Sequence, residues 1–305
     1  MNVLSYFKRK PKIIVVCGPT ATGKTSLSIK IAQGYNGEVI SADSRQVYRG
    51  MDIGTAKVTP KEMQSVPHHM IDVADPTHRY SVQEFASEAR EKISEIISRG
   101  HVPIICGGTG QYIDALVFNQ SFPMVPPNKT LRKKLEKLST KELFNSLQQQ
   151  DPRRAKNIDH HNKVRLIRAL EIIDAVGVVP RQRVSSPYRV LFVGLDLENE
   201  LLHQRIVKRI NERFEYEGML DEARRLYSHG LSYERMEELG LEYRYMARHL
   251  QGKISYEEMV EQLTIATRQF VKRQRTWFKR NPKIHWFDPA RDQDKIHAVV
   301  KNFLK

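Results

Sequence analysis

The sequence predicts an α/β fold: a parallel sheet flanked by helices and interrupted by a helical insertion. Three observations lead there. The apolar run Ile13-Ile14-Val15-Val16-Cys17 passes through a Gly-rich turn into the helical pattern at 26–32. Further strand-length apolar runs alternate with helical stretches to about residue 117 and resume at Arg189, and such alternation implies parallel strands with right-handed crossovers. Between them, Pro123, Pro126 and Pro127 mark a break, and polar, basic, helical segments follow to about Gly177. The chain therefore divides into a first core part (1–117), an insertion (118–188) and a completing part (189–305).

The first strand leads into Gly18-Pro19-Thr20-Ala21-Thr22-Gly23-Lys24-Thr25. Strand, Gly-rich turn and helix are the context in which a P-loop pattern carries meaning. The glycines let successive N–H groups turn inward toward phosphate oxygens, and the helix N-terminus adds partial positive charge. Lys24 would neutralise the outer phosphate, and the Thr25 hydroxyl would hold Mg²⁺. The fold class is thus P-loop NTPase-like, and all eight residues 18–25 are candidates for binding a di- or triphosphate.

Glu38-Val39-Ile40 reads as a second strand, running into Ser41-Ala42-Asp43-Ser44-Arg45-Gln46-Val47-Tyr48. Met70-Ile71-Asp72-Val73 is a third candidate, followed by a helix over 82–98 that Gly100 closes. The fourth strand, Val102-Pro103-Ile104-Ile105-Cys106, ends in Gly107-Gly108-Thr109-Gly110, with a helix from Gln111. Ligands of such sheets sit beyond the carboxyl ends of the strands, so the phosphate loop, Asp43 and the 107–110 turn should share one edge. In the insertion, Ser139 and Glu142 form a capping box, and Asn162 caps a helix over 163–175. Beyond the strand at 189–195 come helices over 200–217 and 221–228. A second capping box, Ser255 with Glu258, starts a long helix to about 280, and Ile284-His285-Trp286-Phe287 reads as an edge strand.

Composition narrows the function. Against 35 acidic residues the chain has 50 Lys and Arg, a formal charge of +15 over 305 residues, which favours a polyanionic partner, nucleic acid first. Two cysteines, Cys17 and Cys106, end apolar runs and read as buried thiols in a reducing compartment, not a disulfide framework. The histidines show no metal-ligand spacing. The basic stretch 1–12 lacks the apolar core of a secretory signal, and no run approaches the ~20 apolar residues of a membrane span. A cytoplasmic, membrane-free monomer is the expectation.

Asp43, ending a strand beside the phosphate loop, suits a general base or a water-mediated Mg²⁺ contact; capping its own turn is the plain alternative. Thr109 could touch phosphate or acceptor, or serve its turn alone. No apolar run ending in Asp makes an obvious Walker B; Asp72 and Asp196 come nearest, without a partner to position an attacking water. Group transfer to an acceptor therefore fits better than plain nucleotide hydrolysis. Arg268, Lys272, Arg275 and Lys279 form one stripe on the long helix, widened by Arg273 and Arg280, with no acidic residue between 268 and 282. The insertion repeats the theme with Arg132-Lys133-Lys134, Arg153-Arg154, Lys163, Arg165 and Arg168. Two basic surfaces suggest a clamp on phosphate backbone.

With these motifs in order, the sequence resembles the tRNA dimethylallyltransferases. The resemblance rests on the loop at 18–25, the Ser41–Tyr48 segment, Asp52-Ile53-Gly54-Thr55-Ala56-Lys57 and His68-His69-Met70-Ile71-Asp72. It continues through Gly107-Gly108-Thr109-Gly110-Gln111-Tyr112, Arg165-Leu166-Ile167-Arg168-Ala169-Leu170-Glu171, Ala266-Thr267-Arg268-Gln269 and Lys272-Arg273-Gln274. It implies that dimethylallyl diphosphate sets its diphosphate in the phosphate loop, with Mg²⁺ on Thr25. It implies further that the exocyclic amine of the adenosine 3′ of the anticodon attacks the allylic carbon, with Asp43 as base. Ser44, Arg45, Gln46 and Thr109 would hold the flipped base. Lys163, Arg165, Arg168, Arg268, Lys272 and Arg275 would grip the anticodon stem-loop. Where the family has Gly-Tyr-Arg or Gly-Tyr-Lys, this chain has Gly240-Leu241-Glu242-Tyr243-Arg244, making Arg244 the implied late cation. Prenylation of free AMP, ADP or ATP, a small-molecule kinase, and a non-catalytic RNA-binding module are the competing classes.

Overall fold

The computed structural model describes residues 10–119, 123, 125–180 and 185–305. Most of the basic N-terminal stretch and parts of the insertion's two edges lie outside the described residues. The chain forms two compact units, Met1–Asn119 with Ser185–Lys305 and, separately, Gln120–Val184.

The larger unit is built on strands β1 (Lys12–Cys17), β2 (Gly37–Ser41), β3 (His68–His69), β4 (Val102–Gly107), β5 (Arg189–Leu195) and β6 (Ile284–Phe287). They form one parallel sheet in the order β3-β2-β4-β1-β5-β6. β1 lies inside it, Val15 pairing with Ile105 on one side and Phe192 on the other. An unbroken apolar run suits that place, because a central parallel strand is covered on both faces. Ile13, Val15 and Cys17 enter one apolar core, and Ile14 and Val16 enter the other. The second core also takes Ile29 and Ile31 of α1 (Lys24–Tyr35) and Ile296 and Val300 near the C-terminus.

After the short α2 (Pro60–Met63), the first core's cover comprises α3 (Val82–Ser98) and α4 (Gly110–Val117). The smaller unit contains α5 (Lys129–Leu135), α6 (Thr140–Gln150), α7 (Pro152–Ala155) and α8 (Lys163–Val176) around Leu143, Leu147, Leu166 and Leu170. The larger unit then completes with α9 (Asn199–Glu215), α10 (Met219–Ser228), α11 (Tyr233–Leu239), α12 (Leu241–Leu250), α13 (Tyr256–Phe278) and α14 (Gln293–Leu304). Ser139 and Ser255 make the expected capping boxes, and Asn162 caps α8. No helix among the described residues is long and apolar enough to cross a membrane.

The third strand departs from the sequence reading. It is His68–His69, not 70–73, because Met70 and Asp72 take left-handed backbone, φ 63° and 56°, which breaks a ladder. Helix α14 carries no sequence signal strong enough to have been expected.

Candidate active site

The Gly-rich loop at 18–25 curls where the sequence places it. Gly18 has φ 137°, and a Cβ there would lie 2.1 Å from the Leu195 carbonyl oxygen, so only glycine fits against β5. The Thr22 hydroxyl donates to the Pro19 carbonyl (2.9 Å), and the Lys24 ammonium reaches the same oxygen (2.6 Å). Burial pushes the Lys24 pKa below its ordinary value, and the nearby Asp43 carboxylate partly offsets this. Thr25 is exposed in the first turn of α1.

Asp43 follows the end of β2. Its Oδ1 accepts from the backbone N–H of Arg45 (2.8 Å) and Gln46 (3.4 Å), leaving Oδ2 without a hydrogen bond among the described residues. So Asp43 does cap its turn, and it keeps one carboxylate oxygen free for chemistry. Thr109, after β4, accepts from the Ser44 N–H at 3.1 Å and ties the two strand-end segments together. Gln46 is placed differently from the base-holding role the resemblance implies. Its Oε1 accepts from the Ser41 hydroxyl (2.9 Å) and its Nε2 donates to the Ala56 carbonyl (3.0 Å), so the amide fastens its own loop to residues 55–56.

Asp43, Ser44, Arg45 and Thr109 line a cavity of about 420 Å³ together with Thr20 of the phosphate loop and Arg244. Arg244 also donates through Nε to the Glu237 carbonyl (3.1 Å). Sequence reasoning missed further charges on this wall, among them Arg209 and Arg213 of α9 and Glu242 of α12. Arg209 Nη2 donates to the Thr20 hydroxyl (2.7 Å), while its buried Nε has no partner among the described residues. Burial, with Arg213 adding repulsion, lowers the Arg209 pKa to about 10, leaving it a cation at neutral pH. Burial raises the Glu242 carboxyl, and Arg213 and Arg209 pull it back. These residues sit in an amphipathic pattern that reads as an ordinary surface helix, so only the cavity they line reveals them.

The nearest Walker B candidates are committed elsewhere. Asp72 pairs with Lys57 at 2.5 Å, and Asp196 pairs with Arg275 at 2.7 Å. That second pair corrects the basic stripe: Arg268, Lys272 and Lys279 are exposed, but Arg275 turns inward onto Asp196 and the Leu197 carbonyl. Sequence distance hid the partner. In the smaller unit, Arg165 is exposed, whereas Arg168 pairs with the buried Glu171 (3.4 Å) and donates to the Val125 carbonyl (2.8 Å). Lys163 donates to the Glu136 carbonyl at 2.7 Å. Arg132 forks onto Glu171 through two contacts of 2.7 Å. Much of the apparent basic surface of that unit is therefore internal wiring. Cys17 and Cys106 are free and buried; burial raises the Cys17 thiol to about 12 and raises Cys106 as well.

The chain matches the family model "IPP transferase" over residues 46–281. It is 42% identical over 311 residues to the tRNA dimethylallyltransferase of Carboxydothermus hydrogenoformans, covering 96% of this chain and 99% of that one. Among solved structures, the full-length tRNA isopentenylpyrophosphate transferase of Bacillus halodurans superposes with a TM-score of 0.74 at 37% identity, covering 97% of both chains. A eukaryotic dimethylallyltransferase acting on tRNA gives 0.83 at 28% identity, covering 96% of this chain and 79% of that one. The family model spans most of the chain and the Carboxydothermus relative covers 96% of it at 42% identity, so the chain belongs to the IPP transferase family.

Proposed function

We propose that this protein transfers a dimethylallyl group from dimethylallyl diphosphate to the exocyclic amine of the adenosine immediately 3′ of the anticodon in tRNA, releasing diphosphate. The observation that carries the reading is the free Oδ2 of Asp43 on the wall of a cavity that the phosphate loop reaches through Thr20. The adenine amine is a poor nucleophile, because its lone pair is delocalised into the ring. As that lone pair forms the new bond to the allylic carbon, the carbon–oxygen bond to diphosphate breaks and Asp43 takes the N–H proton. Charge building on the departing diphosphate meets the loop's N–H groups, Lys24 and Arg209, with Arg244 further along the wall.

The donor set suits Mg²⁺. Among the described residues no group of three or more His, Cys, Asp or Glu is arranged to hold a metal. A magnesium ion completed by diphosphate oxygens and water needs little more than a hydroxyl from the protein, and Thr25 would supply it, leaving Asp43 Oδ2 for the proton. Bound there, it would neutralise diphosphate charge.

A flipped adenosine would enter the cavity beside Ser44, Arg45 and Thr109. Exposed Arg268 and Lys272 on α13, and Arg165 on the smaller unit, would meet tRNA phosphates. The cytoplasm, which holds tRNA, is the compartment this reading proposes. The test is incubation with Mg²⁺, dimethylallyl diphosphate and unmodified tRNA, with AMP and ATP as parallel acceptors, then nucleoside mass spectrometry. Prenylated adenosine from tRNA alone supports the reading. Prenylated AMP or ATP, or phosphate transfer from ATP without prenyl transfer, would overturn it.

A further inference from the structure

We propose that Gln274 is the positioning residue that sets the donor loop at a fixed distance from the acceptor turn. The inference rests on the transfer reaction proposed above. Gln274 lies in the C-terminal half of α13 and is buried. Its Oε1 accepts from the Thr20 N–H of the phosphate loop at 3.0 Å, and its Nε2 donates to the Gly108 carbonyl at 3.0 Å. One side chain thus joins the segment after β1 to the segment after β4.

Each end of this bridge reaches a wall of the proposed site. Thr20 receives Arg209 and borders the cavity. Gly108 precedes Thr109, whose hydroxyl holds the Ser44 N–H beside Asp43. The local sequence is shaped for the contact, since a Cβ on Gly108 would lie 2.3 Å from Gln274 Nε2. The Thr20 N–H is also committed to protein, so the amide fixes the curl of the loop that must receive phosphate.

The bridge is held rigid by its neighbours on α13. Arg275 is forked onto Asp196 at the end of β5. Trp277 donates through Nε1 to Asp114 of α4 at 2.9 Å. Anchors on two sides stop the helix from rotating, so the amide acts as a strut between two strand ends. Only an amide both accepts and donates here: a carboxylate loses the bond to Gly108, and a thioether loses both.

Gln274→Met and Gln274→Glu test this, assayed with saturating and limiting substrates. With the reacting atoms about an ångström out of place, kcat should fall on the order of 100-fold in both variants, while tRNA affinity stays within about twofold. Gln274→Glu also sets a negative charge beside the phosphate loop, so inorganic diphosphate, titrated calorimetrically, should bind about tenfold more weakly. Gln274→Met should affect that affinity much less. Gly108→Ala, which presses on the same contact from the other side, should repeat the kcat loss and serves if the Gln274 variants fold poorly. Wild-type kcat in a folded variant would overturn the proposal. So would parallel losses of kcat, tRNA binding and melting temperature, the mark of a merely structural residue. The diphosphate titration needs no acceptor, so its outcome separates failure of this inference from failure of the transfer reading.

Discussion

The guanidinium of Arg275 closes on the carboxylate of Asp196, with Nη2 2.7 Å from Oδ1 and Nε 3.0 Å from Oδ2. This fork ties α13 to the end of β5 and takes Arg275 out of the exposed basic stripe. Neutralising Arg268 and Lys272 should therefore flatten the salt dependence of tRNA binding, by about one unit of log–log slope for each phosphate left without its cation. Arg275→Ala should instead lower stability by on the order of 2 kcal/mol, with the salt slope of the folded fraction unchanged. Filter binding from low to moderate salt, beside urea melts, separates the two.

Asp43→Asn keeps the turn, since Oδ1 still accepts from Arg45 and Gln46, but removes the base. Single-turnover prenyl transfer should slow by roughly 10²- to 10⁴-fold, with tRNA affinity nearly unchanged. Equal losses in both would show that Asp43 serves binding and not proton transfer.

Lys24 gives a pH signature. Its pKa is lowered from the ordinary 10.5, chiefly by burial. A lysine with a lowered pKa loses its charge earlier as pH rises, so diphosphate binding should weaken through the alkaline range before a surface lysine would titrate. Lys24→Met should bind donor poorly at every pH and leave only the alkaline limb of Arg209, whose pKa is about 10. Donor KM measured against pH reads both effects.

Glu38 gives the acid limb of stability. Burial alone would raise its carboxyl, but hydrogen bonds from Arg99, His69 and His101 outweigh it and hold the pKa at about 2. A carboxylate depressed from 4.5 stabilises the fold fully above that value, and the contribution disappears as pH falls toward about 2. That contribution is on the order of 3 kcal/mol. Glu38→Gln should be less stable near neutrality and show a flatter loss between about pH 5 and 2 in urea titrations.

The phosphate loop, Asp43 and Thr109 were legible in the sequence because parallel α/β topology brings strand ends to one edge, and each of these residues follows an apolar run. The short β3 was misplaced because its end is set by the left-handed residues Met70 and Asp72, which no apolar pattern announces. Arg209, Arg213 and Glu242 were invisible because α9 and α12 look like surface helices until the cavity they line is known. Gln274 stood in a motif of the family, yet its two partners lie 254 and 166 residues away. Partners that distant can be read only from the folded chain.

The most direct measurement is the position of the new group on tRNA. After reaction with dimethylallyl diphosphate, ribonuclease fragments of the tRNA would be mapped by mass spectrometry, with Asp43→Asn in parallel. The account predicts one dimethylallyl increment, on the adenosine immediately 3′ of the anticodon, made by the wild type and nearly absent with Asp43→Asn. An increment elsewhere, or one that Asp43→Asn makes at the wild-type rate, would contradict it.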